Sequence, residues 1–301
     1  MPTAADFRRF EIPGTAVFTD HPGGLVALEI TAPGATGRLF LHGAHVTDWQ
    51  PKGGDPVLFM SSGSHFAPAK AIRGGVPLIF PWFGARAGDA KAPQHGFART
   101  ASWAVESIGA SPDQSIAVVL RLDDSGQTRA SWPFAFTARF RVTFGSTLTM
   151  ALEVENRSGE PIQFEEALHT YLVVSDVQKV AVRGLEDTEF IDKVDAATRK
   201  RLGSDPLTFT GETDRVFLNT TATCTLEDPG YRRRIVVEKS GSNSTVVWNP
   251  WIAKAKAMAD FGDDEWPRML CIETANADEN AVTLTPGATH TMAAMVRIES
   301  A

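Results

Sequence analysis

The chain has 301 residues, 43% hydrophobic and 22% charged, enough to bury a large core and too apolar for a disordered chain. With 29 Lys and Arg against 36 Asp and Glu, the net charge of −7 argues against broad contact with nucleic acid or anionic lipid, so an anionic ligand must be met by cations gathered locally. Two cysteines, Cys224 and Cys271, form no CxxC pair and are too few for a disulfide framework; with no apolar run of membrane-spanning length and no secretory signal in Met1–Glu11, a reduced, cytoplasmic setting without a membrane partner is expected.

Along the chain, a β-like run from Leu25 to Ile30 comes first. His42 and His45 have the spacing of a metal pair, but in a β-like context positions three apart point to opposite faces, and no metal is expected there. The segment Ile72–Gly84, IRGGVPLIFPWFG, is too rich in Gly and Pro for a regular element and predicts a shaped loop. Its glycine pair lets backbone approach a ligand while Arg73 offers forked donors suited to phosphate or carboxylate. A proline-fixed turn with Arg73 in solvent is the plainer alternative. The Lys and Ser/Thr of a Walker-type phosphate loop are missing. In Gln94–Arg99, QHGFAR, an amide, an imidazole and a second guanidinium lie close enough to bind a polyol, although an isolated His such as His95 more often serves structure.

Strict alternation then takes over. Ile116, Val118, Leu120 and Leu122 alternate, and so do Phe134, Phe136, Ala138, Phe140, Val142 and Phe144. The pattern resumes after Gly145–Thr147 with Leu148, Met150, Leu152 and Val154, which predicts two long strands joined as a hairpin. His169 lies in a largely apolar run and is either a core histidine bonded to backbone or a proton donor tuned by burial. Shorter β-like runs occupy Val180–Val182, Ile235–Val237 and Val282–Leu284, while Ala196–Leu202 is ambiguous and suggests a short helix. Trp248, Asn249, Pro250 and Trp251 offer flat faces for a sugar ring beside an amide, or simply fill core. Glu273 follows Met269–Ile272 in an apolar run; a carboxylate there is a general base with a raised pKa or half of a buried ion pair. No long stretch has three-and-four spacing with clear caps, and the 25 glycines and 18 prolines are spread throughout. The expectation is an all-β, antiparallel, packed architecture in one domain, 1–301.

These segments resemble the hexose-6-phosphate mutarotase branch of the aldose 1-epimerase superfamily. The likeness rests on RGGVPLIFPWFG around Arg73, QHGFAR at Gln94–Arg99, ALHTYL around His169, GETDRVF at Gly211–Phe217, VWNPW at Val247–Trp251 and CIETAN at Cys271–Asn276, in that order over most of the chain. It implies a galactose-mutarotase-like antiparallel β supersandwich and interconversion of the anomers of a hexose 6-phosphate without metal or organic cofactor. By position, Glu273 matches the family's general base, His169 its general acid and His95 its second active-site histidine. Arg73, Gln94, Arg99 and Asp214 match substrate-binding positions. His169 would act as an imidazolium, and Arg73 and Arg99 would form the local basic pocket that the net charge demands. The expected partner is the hexose 6-phosphate itself, the expected assembly a monomer. A carbohydrate-binding or sensing protein without turnover, and an epimerase of unphosphorylated aldoses, are the alternatives.

Overall fold

In the computed structural model, which describes residues 2–301, the alternating segment forms strands Phe136–Phe144 and Leu148–Asn156, paired antiparallel from Phe136↔Asn156 to Phe144↔Leu148. Phe136, Phe140, Phe144, Leu148, Leu152 and Val154 are wholly buried. Each such side chain stabilises the fold by about 1.5–3 kcal/mol through area removed from water. The hairpin sits inside an eight-stranded sheet ordered Ala181–Arg183, Cys224–Asp228, Arg233–Ser240, Thr289–Ser300, Leu148–Asn156, Phe136–Phe144, Ile116–Asp123 and Ala104–Ala110. A four-stranded meander, Ala16–Asp20 to His45–Pro51, packs on it, and the Trp49 indole donates to the Gly145 carbonyl at the hairpin turn (3.1 Å).

A second eight-stranded sheet carries the cleft described below. Its order is Thr198–Arg201, Glu189–Asp192, Thr213–Phe217, Ser244–Asn249, Met269–Asn276, Glu166–Leu168 and Leu78–Ile79, with Tyr171–Val173 also on Met269–Asn276. All pairings between named strands are antiparallel. Met269–Asn276 is buried along its whole length because both its faces are covered. Leu270 and Ile272 face the main core with Val247, whereas Cys271 lies with Trp248 and Tyr171 on the other side. Among the described residues no helix is long and apolar enough to cross a membrane.

Three local expectations need correction. Ala196–Leu202 holds no helix: Thr198–Arg201 is an exposed edge strand entered through a turn in which Ala196 and Ala197 have φ of 49° and 57°. Arg199 and Lys200 on that strand pair with Glu189 and Asp192 on the neighbouring one, and the charge keeps the edge from recruiting another chain. The Gly- and Pro-rich segment is not wholly loop, since Leu78–Ile79 forms a short strand against Ala167 and Leu168. The hairpin strand begins at Phe136 rather than Phe134.

Candidate active site

Antiparallel register lays the site out on one face of the second sheet. Asp214 pairs with Trp248, Trp248 with Cys271, Val246 with Glu273, and Cys271 with Tyr171. Side chains two residues apart share a face, so Val246 and Trp248 point the same way, as do Cys271 and Glu273. His169 falls between strands Glu166–Leu168 and Tyr171–Val173, its amide donating to the Pro77 carbonyl (3.1 Å). Of these, His169, Asp214, Val246, Trp248 and Glu273 form one wall of a cleft of about 520 Å³.

Loops close the opposite side. Gly75, at φ +59°, lies so close to strand His45–Pro51 that a Cβ would stand 2.2 Å from the Val46 carbonyl oxygen. Gly96, at φ +73°, would place one 2.0 Å from that of Phe80. Only glycine fits either place, and the close approach sets Arg73 and the residues 94–99 at the cleft. His95 itself takes φ 64°, an uncommon conformation for a residue with a side chain, held by its amide on the Gly84 carbonyl (2.7 Å). The predicted residues Arg73, Gln94, His95, Arg99, His169, Asp214 and Glu273 all line this one cleft. Lys193, Lys254 and Phe83 line it too and were not singled out from sequence. His42 and His45 lie elsewhere, each bonded by Nε2 to a backbone carbonyl, that of Lys70 and Gly74 respectively. Of the aromatic segment, Trp248 reaches the cleft; Trp251 packs on Trp266 and the Asn249 amide donates to the Trp266 and Met269 carbonyls.

At the floor, His169 Nε2 lies 3.3 Å from Glu273 Oε1. Both side chains are buried, and His169 Nδ1 and Glu273 Oε2 have no hydrogen-bond partner. Burial, reinforced by Asp214, pushes the Glu273 carboxyl well above its ordinary range, against the pull of Arg99. Burial, then His95, Arg73 and Arg99, push the His169 imidazole well below its own. Both directions disfavour the charged pair, against the imidazolium that the resemblance implies for His169. The Tyr171 ring stacks on His169 (centroids 4.8 Å, planes 11° apart), and His95 meets it edge-on at 5.9 Å. Burial, Arg99 and Arg73 bring His95 down to about 3, so it is neutral at pH 7. Its Nδ1 accepts from the Gly84 amide (3.1 Å), which leaves Nε2 to carry the ring proton.

The two guanidiniums differ. Arg73 gives Nε and NH2 to one oxygen of Asp260 (3.2 and 3.0 Å) and NH1 to the Tyr171 hydroxyl (3.0 Å). Arg99 donates to the Gln94 carbonyl (2.7 Å) and, among the described residues, pairs with no carboxylate. Burial and the neighbouring Arg73 lower it to about 10, still charged at neutral pH. An unpaired, half-buried cation is a poor structural element and a good anion receptor. Asp214 on the facing wall has its carboxyl raised by burial, with the Lys254 ammonium 3.8 Å away opposing the rise. His169, Cys271 and Glu273 offer donor atoms within 4.8 Å of one another. Cationic Arg73 and Arg99 beside them, and a Cys271 thiol that burial and Glu273 keep protonated, make this a poor cation site, and we assign it no metal.

The aldose 1-epimerase family profile matches residues 27–294 of the sequence. The chain belongs to the aldose 1-epimerase family. Curated relatives include two proteins named "Putative glucose-6-phosphate 1-epimerase". The one from Cenchrus ciliaris is 37% identical over 275 residues, covering 88% of this chain and 82% of its own. The one from Escherichia coli K12 is 39% identical over 249 residues, 82% of each chain. Among solved structures, YeaD from Salmonella typhimurium, described as a putative mutarotase, superposes with a TM-score of 0.90 at 31% identity, covering 97% of this chain and 96% of that one. The family's galactose-mutarotase-like fold, the all-β class and the epimerase assignment drawn from the motifs stand together.

Proposed function

We propose that the protein is a glucose-6-phosphate 1-epimerase, interconverting the α and β anomers of hexose 6-phosphates by acid/base opening and closure of the hemiacetal. The observation that carries this reading is the buried His169–Glu273 pair at 3.3 Å in the same cleft as Arg73 and the unpaired Arg99. The names of the relatives at 37% and 39% identity support the phosphorylated substrate.

Each group has a task suited to its chemistry. Glu273 takes the proton of the C1 hydroxyl while His169 gives one to the ring oxygen; the C1–O5 bond breaks, the aldehyde end rotates, and the reverse transfers close the ring on its other face. Each proton transfer is worth about 10²- to 10⁴-fold. His95, as a neutral donor through Nε2, polarises oxygens at the reacting end. Arg99 and Arg73 receive the phosphate, with Lys193 at the rim, and Asp214 and Gln94 bond sugar hydroxyls. Trp248 supplies a flat face for the ring. The reaction balances in protons alone and calls for no cofactor.

The same reading takes residues 1–301 as one domain, supported by a core cluster that runs from Ala16 to Val296 through both large sheets. It takes the chain as a cytoplasmic monomer. Free, buried Cys224 and Cys271 support the compartment, and large exposed apolar side chains limited, among the described residues, to Val194 and Ile252 support the monomer. Two-dimensional NMR exchange between the anomers of glucose 6-phosphate tests the activity, with acceleration far above buffer expected. Exchange at the buffer rate despite calorimetric binding would turn the reading to a sugar-phosphate sensor, and equal acceleration of glucose would turn it to an aldose epimerase indifferent to phosphate.

A further inference from the structure

We propose that the substrate's phosphate switches on the reacting end: seated against Arg73 and Arg99, it moves the one proton of the Glu273–His169 pair from the carboxyl to the imidazole. This rests on the reading of the site as a hexose-6-phosphate epimerase and adds a task for the phosphate beyond anchoring.

The geometry sets a field across the pair. Arg73 reaches the imidazole end through a single ring, since its NH1 is 3.0 Å from the hydroxyl of Tyr171 and that ring stacks on His169. Asp214 lies toward the carboxyl end, two strands away from Glu273 with Val246 and Trp248 between. Positive charge beside the imidazole and negative charge beside the carboxyl both hold the proton on Glu273. Arg99 acts on both partners and so discriminates less. Asp260 offsets part of Arg73 and Lys254 part of Asp214, while His95 is neutral and Cys271 remains a thiol. Hydrogen bonding agrees: Glu273 Oε2 is buried with no donor, a heavier penalty for a carboxylate than for a carboxyl.

In that resting form the base already holds its proton. A phosphate dianion at the guanidiniums reverses the field at the imidazole end. The Oε1–H bond breaks and an Nε2–H bond forms across the 3.3 Å gap, with no proton taken from solvent. Glu273 is then free to accept from the C1 hydroxyl and His169 to donate to the ring oxygen. A unit charge about 6–12 Å away in an effective dielectric near 20 shifts such an equilibrium by about ten- to a hundredfold. Binding energy from a remote group is thereby spent on the reacting atoms, so an unphosphorylated hexose loses kcat as well as affinity.

Nitrogen-15 NMR of protein labelled at histidine reads the proton directly, with His169→Asn assigning the resonance. Free enzyme should show the pattern of a neutral His169 imidazole. Saturation with 1,5-anhydroglucitol 6-phosphate, which lacks the C1 hydroxyl and cannot turn over, should convert it to the imidazolium pattern. Arg73→Gln should move the free enzyme toward imidazolium without any ligand. A neutral pattern that persists in the saturated complex, or an imidazolium already present in free wild type, overturns the proposal. Rapid exchange of glucose 6-phosphate anomers alongside either result leaves the epimerase reading standing and removes only the switch; exchange at the buffer rate removes both.

Discussion

Burial moves Glu273 and His169 in opposite directions, the carboxyl up and the imidazole down, and that opposition governs how pH acts on stability as well as on chemistry. Folding raises the carboxyl above its ordinary 4.5 and lowers the imidazole below 6.5. A carboxyl raised well above 4.5 carries its proton past the pH at which the unfolded one ionises, while an imidazole lowered well below 6.5 sheds its own early; the unfolded pair binds two below pH 4.5, one between 4.5 and 6.5, and none above. The pair's contribution to stability therefore peaks between those values and declines as pH rises past 6.5, where only the folded form is still protonated. In Glu273→Gln the folded pair holds no proton, so its contribution rises through pH 6.5 and then levels off. We predict that the melting temperature of Glu273→Gln gains on wild type from pH 6 to 8.5, measured by calorimetry; a constant gap would show that the carboxyl is not protonated in the fold. The same variant should lose about 10²- to 10⁴-fold in anomer exchange, measured by NMR at pH 7.

The loop between the helix Trp251–Ala257 and the turn Trp266–Arg268 carries no motif, yet it positions Arg73, the end of the cleft proposed to take the phosphate. Its Asp260 grips Arg73, and its Glu265 accepts from the Ser61 hydroxyl (2.7 Å) and the amides of Ser62 (2.9 Å) and Gly262 (3.1 Å), which ties the loop to the segment leading into Arg73. Glu265→Ala should cost about 1.5–3 kcal/mol, the range for hydrogen bonds to a charged group. It should also raise KM for glucose 6-phosphate while leaving KM for glucose unchanged, since only the phosphate end loosens. Denaturant titration and NMR exchange on both sugars check it, and an equal rise in both KM values would mean that the loop shapes the whole cleft. Asp260 illustrates why part of the site escaped the sequence reading. It meets Arg73 across 187 residues, so nothing near it in the chain marks it. Lys254, which meets Glu212 across 42 residues, is silent for the same reason; Tyr171 lies within ALHTYL, but nothing in that motif marks its hydroxyl as the partner of Arg73, 98 residues away. Arg73, His95, Arg99, His169, Asp214 and Glu273 were legible because each sits in a segment whose local composition is unusual or matches a family motif.

Across the whole molecule, the period of two from Phe136 to Val154 was readable because one strand face is buried and the other is not. The helices Gly126–Ser131 and Trp251–Ala257 were not, being about two turns or less and too short to show a helical period. Nor could local pattern reveal that both faces of Met269–Asn276 are covered, by the core on one side and the cleft on the other. That double burial makes a division of effects testable. Phe140 is wholly buried in the sheet that carries no cleft residue, and Phe140→Ala should cost about 3–5 kcal/mol. Ile272 faces the same core from the strand that bears Glu273, and Ile272→Ala should cost about 2–5 kcal/mol. Both lower the melting temperature, but only Ile272→Ala lets the strand under Glu273 shift into the vacated volume and disturb the 3.3 Å contact with His169. Phe140→Ala should therefore keep its kcat at temperatures where it remains folded, while Ile272→Ala should lose much of it. Equal losses of kcat in the two variants, assayed well below their melting temperatures, would mean that the sheets communicate through the core and that the cleft is not held by its own strands alone.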